Sequence, residues 1–306
     1  MIELHERLSE FSYGYGVTRE VERLLLSLGM RTVPFQPSLL QEKQVGFDAA
    51  FDKAGVPLLL QFKLGQSLSR FVRRDTSLPA PYLARPFFRF TLDTAEADGQ
   101  FETLLKAEAD GAEVYYVAPR FSDWPHYVQF YEEEGVLENS VLVRPGQVRA
   151  ALDAKGAPDG RHRVVYDGVR VHVCSKPVPI EEVRPRLLAE RVAIRVRKEK
   201  GTLGERIARL YAGLEDRAPI RRQRPDPTPQ GDPSTDYLEV AELDRRQPAA
   251  LTRRQRLSRL TQLRERSRSQ EDAVTAALGL ELWGLGIQLL MAVDEVQATP
   301  VPSPNP

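Results

Sequence analysis

Apolar positions change period several times along the chain, and each change marks an element. Between Val17 and Leu28 they fall at Val17, Val21, Leu24, Leu25 and Leu28, the spacing of an amphipathic helix. Thr18 reads as its N-cap and Gly29 as its stop. Pro34 and Pro37 then interrupt the chain. Gly46–Phe51 and Val56–Lys63 read as two strands around the turn Asp52-Lys53-Ala54-Gly55. The second is almost continuously apolar before Gln61, as a strand buried on both faces must be. A proline-rich loop, Leu78 to Pro86, leads to a strand over Phe87–Leu92. A helix follows from Ala97 to Ala109, with Phe101, Leu104 and Leu105 inward and Gly111 as its stop. The strand Glu113–Ala118 ends at Pro119. A helix around Pro125 to Gly135, the strand Ser140–Val143, and a hairpin of His162–Val165 with Val169–Cys174 about Asp167-Gly168 complete an α/β unit.

The rest of the chain has a different texture. Residues 180 to 215 are helical in pattern and rich in arginine. Ala218 to Pro233 holds five prolines and few apolar residues, a linker or disordered composition. Residues 250 to 293 are again helical, and Thr299 to Pro306 carries four prolines. The expected organisation is an α/β domain over 1–178, an arginine-rich helical segment over 179–217, a linker over 218–238, a helical C-terminal region over 239–294 and a tail over 295–306. Ala276 to Val293 approaches the length of a membrane span, but it contains Glu281, Gln288 and three glycines. A carboxylate near the centre of a span costs about 2.5–3.5 kcal/mol. A buried helix, or a helix followed by a strand, is the better reading.

Composition narrows the chemistry. The 43 basic and 43 acidic residues cancel, so nucleic-acid binding would need a local basic patch rather than a polycationic chain. One cysteine, Cys174, excludes a disulfide framework and a thiolate-rich zinc site. His5, His126, His162 and His172 lack metal-site spacing. The opening MIELHERLSEF has no apolar stretch of the secretory kind, so a reducing cytoplasm is the expected location.

One constellation carries chemistry. Gln61 and Lys63 are two apart in a strand and so share a face. If the strands fold back at Lys53-Ala54, Asp48 lies opposite Gln61, with Cβ atoms about 4.5–5.5 Å apart. The preceding helix adds Glu20 or Glu22, and Glu42 lies nearer Asp48 in sequence. An aspartate, an amide oxygen and a lysine suit metal-assisted phosphodiester hydrolysis. Mg²⁺ or Mn²⁺ takes hard oxygen ligands, here Asp48, Gln61, the carbonyl of Phe62 and Glu20. Lys63 would orient water and offset charge on the phosphate.

This arrangement resembles the PD-(D/E)xK nuclease superfamily in its D…QxK form and is similar to Holliday-junction resolvases and Mrr-type restriction enzymes. The resemblance spans about residues 10 to 120. It implies a restriction-endonuclease-like α/β core, a mixed sheet flanked by helices, here with a helical C-terminal extension. It also implies that a helix-borne glutamate precedes the hairpin holding the aspartate and the QxK. Phe47 stands where many members have proline, and Gln61 where glutamate is commoner. The implied activity is metal-dependent DNA cleavage, in anti-phage defence or DNA processing. The alternative is a catalytically inactive nuclease-fold protein that binds DNA or acts as a scaffold. Arg70, Arg73 and Arg74 would contact phosphates or form a solvated basic loop. Gln100 and Glu102 would contact DNA or be polar first-turn residues favoured by the helix dipole. The C-terminal helical region would dock a second protein, and members of the fold often act as homodimers.

Overall fold

The structure is a computed structural model that describes residues 8–35, 51–70, 81–96, 99–174, 177–198, 201–215, 253–265, 267 and 269–295. In chain order its elements begin with α1 (Glu10–Ser27), β1 (Met30–Pro34), β2 (Gly55–Phe62), β3 (Gln66–Leu68) and β4 (Phe87–Asp93). Next come α2 (Gln100–Ala109), β5 (Glu113–Pro119), α3 (Trp124–Glu132), β6 (Ser140–Val143), α4 (Pro145–Ala154), β7 (Arg161–Tyr166), β8 (Val171–Val173) and β9 (Val178–Ile180). The last are α5 (Pro185–Lys198), α6 (Leu203–Glu215), α7 (Arg253–Arg264), α8 (Gln270–Gly284) and β10 (Ile287–Asp294).

The chain is α/β, with a mixed five-stranded sheet flanked by helices. Its order is β1-β10-β2-β5-β6. β2 and β5 run parallel, and the other three pairings are antiparallel. A second five-stranded sheet, β3-β4-β7-β8-β9, is antiparallel throughout. The strand Phe87–Leu92 forms as the pattern predicts, but it belongs to this second sheet. The β7–β8 hairpin also forms, its turn fixed by the Asp167 carboxylate accepting the backbone N–H of Val169 and Arg170 at 2.7 Å each.

Helix α1 starts earlier than its apolar pattern suggested. Ser9 caps it by accepting the N–H of Ser12 at 3.0 Å, which leaves Thr18 in mid-helix. Gly29 ends it at φ 77°, a backbone conformation that suits glycine. One side of α1 packs Val17, Val21 and Leu25 against Leu58, Leu60 and Phe62 of β2, together with α5. The other face of β2 presents Leu59 toward a core shared with Tyr116, Leu289, α2, α6, α8 and the inner side of the second sheet.

The largest departure concerns the partner of β2. The expected hairpin between Gly46–Phe51 and Val56–Lys63 is not made, because both edges of β2 are occupied. Gln61 lies opposite Ile287 of β10 and Tyr116 of β5, and Phe51 and Asp52 are in a turn. Ladder hydrogen bonds are nearly the same for any strand, so buried area decides which strand takes the slot. β10 is apolar along almost its whole length and buries all but Gln288. The alternative strand carries Asp48.

The helical C-terminal extension is corrected at the same point. Ala276 to Val293 is the end of α8, a turn through Gly286 at φ 72°, and a sheet strand. Residues 179–294 contribute α5, α6, α8 and β10 to the same two cores as the first part of the chain. No helix among the described residues is long and apolar enough to cross a membrane. The carboxylate of Glu281 is buried against Arg256 of α7, whose Nε reaches both carboxylate oxygens at 2.9 Å.

Candidate functional site

A polar cluster forms where β2 leaves the sheet. The alternation of strand side chains puts Gln61 and Lys63 on the same face, toward α2 and the α8–β10 turn. The N–H of Lys63 bonds the carbonyl of Val117 at 2.9 Å, which extends the parallel ladder one residue past β2 and fixes where the side chain starts. Its ammonium donates to Oε1 of Gln100 at 2.8 Å, at the first residue of α2. The Nε2 of Gln100 in turn donates to the carbonyl of Leu285 at 2.6 Å. A chain of hydrogen bonds therefore links β2, the start of α2 and the turn before β10. Gly286 lies against the cluster: a Cβ there would sit 3.7 Å from Nε2 of Gln61 and 3.8 Å from Nε2 of Gln100.

Gln61 is 1% exposed. Its Nε2 donates to the carbonyl of Phe62 at 2.9 Å. Its Oε1 has no hydrogen-bond donor among the described residues. A buried acceptor left without a donor costs about 1–3 kcal/mol, so this oxygen is suited to a water or a cation. Beside it Tyr116 buries a hydroxyl that also lacks a partner among the described residues, and its ring stacks on Phe101 at 6.5 Å. Burial pushes that phenol far above its ordinary value, so it is a neutral donor. Farther along α2, Glu102 is held by Arg149, which lies over the ring of Phe101 at 5.1 Å and also bonds Asp159 at 2.8 Å. The whole cluster sits at the carboxyl ends of the parallel pair β2 and β5, where α/β sheets generally bind ligands.

The other expected residues divide sharply. Glu20 does not join the cluster. Its carboxylate accepts the backbone N–H of Val136 at 2.9 Å and of Leu137 at 2.7 Å, in the segment between α3 and β6. Burial raises its carboxyl above the ordinary value, and those two bonds offset part of the rise. It stands on α1, which packs on the Leu58–Leu60–Phe62 face of β2, while Gln61 and Lys63 face the other way. Glu22 shares α1 and so the same side. Burial raises its carboxyl too. The carbonyl of Phe62 already accepts one bond from Gln61 and keeps a second lone pair. Arg70 is exposed beyond β3. Asp48, Glu42, Arg73 and Arg74 lie outside the described residues.

A divalent cation asks for hard oxygens carrying negative charge. The described residues meet the first part of that demand through Gln61 Oε1, and no group of three or more His, Cys, Asp or Glu side chains among them could hold a metal. Asp48, the residue expected to bring the negative charge, lies outside the described residues. The roles of Gln100 as the anchor of Lys63, and of Tyr116 and Gly286 beside Gln61, could not be read from the sequence. Each depends on a contact made across the sheet or from a distant element. No family model, no curated protein and no solved structure matches the chain.

Proposed function

We propose that the chain is a metal-dependent deoxyribonuclease of the PD-(D/E)xK kind, with its site at the end of β2. The observation that carries this reading is the buried, donor-less Oε1 of Gln61, two residues before a lysine whose ammonium is aimed by Gln100. Mg²⁺ or Mn²⁺ would be held by Asp48, Gln61 Oε1 and the Phe62 carbonyl, without Glu20. A bound cation supplies charge opposite the scissile phosphate and acidifies water. Lys63 contributes the positive charge that stabilises the pentavalent phosphorane-like transition state, and Gln100 keeps its ammonium in position. Tyr116 and Phe101 form the apolar wall that keeps bulk water from one side of the cluster. DNA is the substrate this reading assigns, with Arg70, Arg73 and Arg74 contacting its backbone phosphates and raising sensitivity to salt.

Asp48→Ala and Lys63→Met are expected to abolish Mg²⁺-dependent nicking of plasmid DNA while circular dichroism stays that of the parent chain. Cleavage by both variants at the parent rate removes the reading. A second reading is favoured by the engagement of Glu20 with Val136 and Leu137, which leaves Asp48 as the one charged ligand of the expected set, beside the neutral oxygens of Gln61 and Phe62. On that reading the chain is a catalytically inactive nuclease-fold protein that binds DNA. Titration calorimetry with Mn²⁺ separates the two, because heat that depends on Asp48 appears only if a cation is held.

A further inference from the structure

Three large aromatic side chains stand in water on the α1–α3 side of the molecule. Phe11 and Tyr15 project from the first half of α1 and Trp124 from the start of α3, at 75%, 55% and 43% exposure. They line one groove together with Tyr127 and Tyr131. The rings support one another: Tyr15 stacks on Tyr131 at 6.3 Å, and Tyr127 lies 5.2 Å from Trp124 and 5.8 Å from Tyr131. Arg19 sits over Tyr131 at 4.5 Å. This is a preformed apolar surface, and a contiguous exposed patch of this kind marks a binding site. A row of rings along a shallow groove suits a polyproline II strand, whose pyrrolidine rings pack on aromatic faces and whose stiffness keeps the entropy cost of binding low.

The sequence carries such a ligand. Residues 297–306 read Gln-Ala-Thr-Pro-Val-Pro-Ser-Pro-Asn-Pro, with no charged side chain and with proline at 300, 302, 304 and 306. Where this segment starts is also favourable. The N–H of Glu295 bonds the carbonyl of Gly29 at 3.1 Å, just past the end of α1. Back along α1, Tyr15 lies about 21 Å and Phe11 about 27 Å from Gly29 at the helical rise. At about 3.1 Å per residue as polyproline II, a chain leaving Glu295 comes level with Tyr15 at about residue 302 and with Phe11 at about residue 304, so residues 302–306 can lie along the groove. No side chain of the segment carries a charge that would have to be desolvated on the rings.

We propose that residues 302–306 dock within the same molecule as a polyproline II strand in the aromatic groove between α1 and α3, with residues 296–301 as the tether. The groove lies on the face of the main sheet opposite Gln61 and Lys63, so this docking leaves the candidate site open and does not depend on the nuclease reading.

The test uses acrylamide quenching of Trp124 as the sole tryptophan, in a Trp283→Phe background. A short tether gives an effective concentration of about 1 mM, so an intrinsic groove affinity of about 0.5 mM keeps the segment docked about two-thirds of the time, and Trp124 in the full chain is expected to quench about threefold less than in a chain ending at Glu295. Replacing Pro300, Pro302, Pro304 and Pro306 by glycine in the full chain is expected to remove the protection, as is Phe11→Ser with Tyr15→Ser. Equal quenching with and without residues 296–306 overturns the proposal. Protection that survives the four glycines overturns it as well. Protection that fades on dilution assigns the segment to the groove of a second copy and overturns docking within one molecule.

Discussion

The pair Arg256–Glu281 offers a direct measurement of what holds the C-terminal helices to one another. The two side chains are 4% and 2% exposed. The guanidinium meets both carboxylate oxygens from Nε at 2.9 Å, and its Nη1 donates to the carbonyl of Leu214 at 2.7 Å, near the end of α6. Glu281→Leu leaves a buried guanidinium with its ion partner gone, and Arg256→Met leaves a buried carboxylate. Breaking such a pair from one side costs about 3–5 kcal/mol, because the remaining charge has lost its solvation and its partner. The double variant Arg256→Met with Glu281→Leu removes both charges and substitutes apolar volume. It gives up the bond to Leu214, worth about 1 kcal/mol. The double variant is therefore expected within about 1 kcal/mol of the parent, with a coupling of several kcal/mol between the sites. Urea unfolding followed by tryptophan fluorescence in a Trp124→Phe background, which leaves Trp283 two residues from Glu281 as the reporter, reads all four proteins. If the double variant is as unstable as the two single losses added together, the pair is not the buried, mutually compensating contact described above, and the reasoning is refuted.

Glu20→Ala is expected to cost about 1–3 kcal/mol, because the N–H groups of Val136 and Leu137 lose their acceptor. It should leave Mn²⁺ binding unchanged; loss of binding at unchanged stability would return Glu20 to the ligand set. Burial holds the imidazoles of both His162 and His172 below the ordinary histidine value. The unfolded chain gains protons near pH 6.5 while the folded chain still resists them, so stability is full above about pH 6.5 and falls on acidification through the window below it. Denaturation midpoints between neutral and mildly acid pH should drop less in the His162→Gln/His172→Gln variant than in the parent, and parallel slopes would contradict this.

Much of the local structure was legible. The apolar run before Gln61 identified β2 as a central strand, and it is buried along its whole length. The charge and glycines within Ala276–Val293 favoured a buried helix, or a helix followed by a strand, over a membrane span, and α8 and β10 form the second of these. The shared face of Gln61 and Lys63 also follows from strand geometry alone. Other expectations failed where a distant element intervened. Glu20 was chosen from its place on an amphipathic helix, but its helix period gives no information about which side of the sheet α1 will cover. The hairpin about Lys53-Ala54 rested on sequence proximity, and β10 occupies the slot it required.

The sequence by itself determined the period of each segment, its caps and turns, and which side chains alternate together, because these depend on backbone geometry over a few residues. The tertiary structure alone decided that a strand more than two hundred residues away lies beside β2, that α1 sets Glu20 against the α3–β6 segment, and that Gln100 holds Lys63. Backbone hydrogen bonding leaves many strand and helix placements nearly equal in energy. The choice among them falls to how much apolar surface each buries and whether every buried polar group finds a partner, and both are properties of the whole chain packed together.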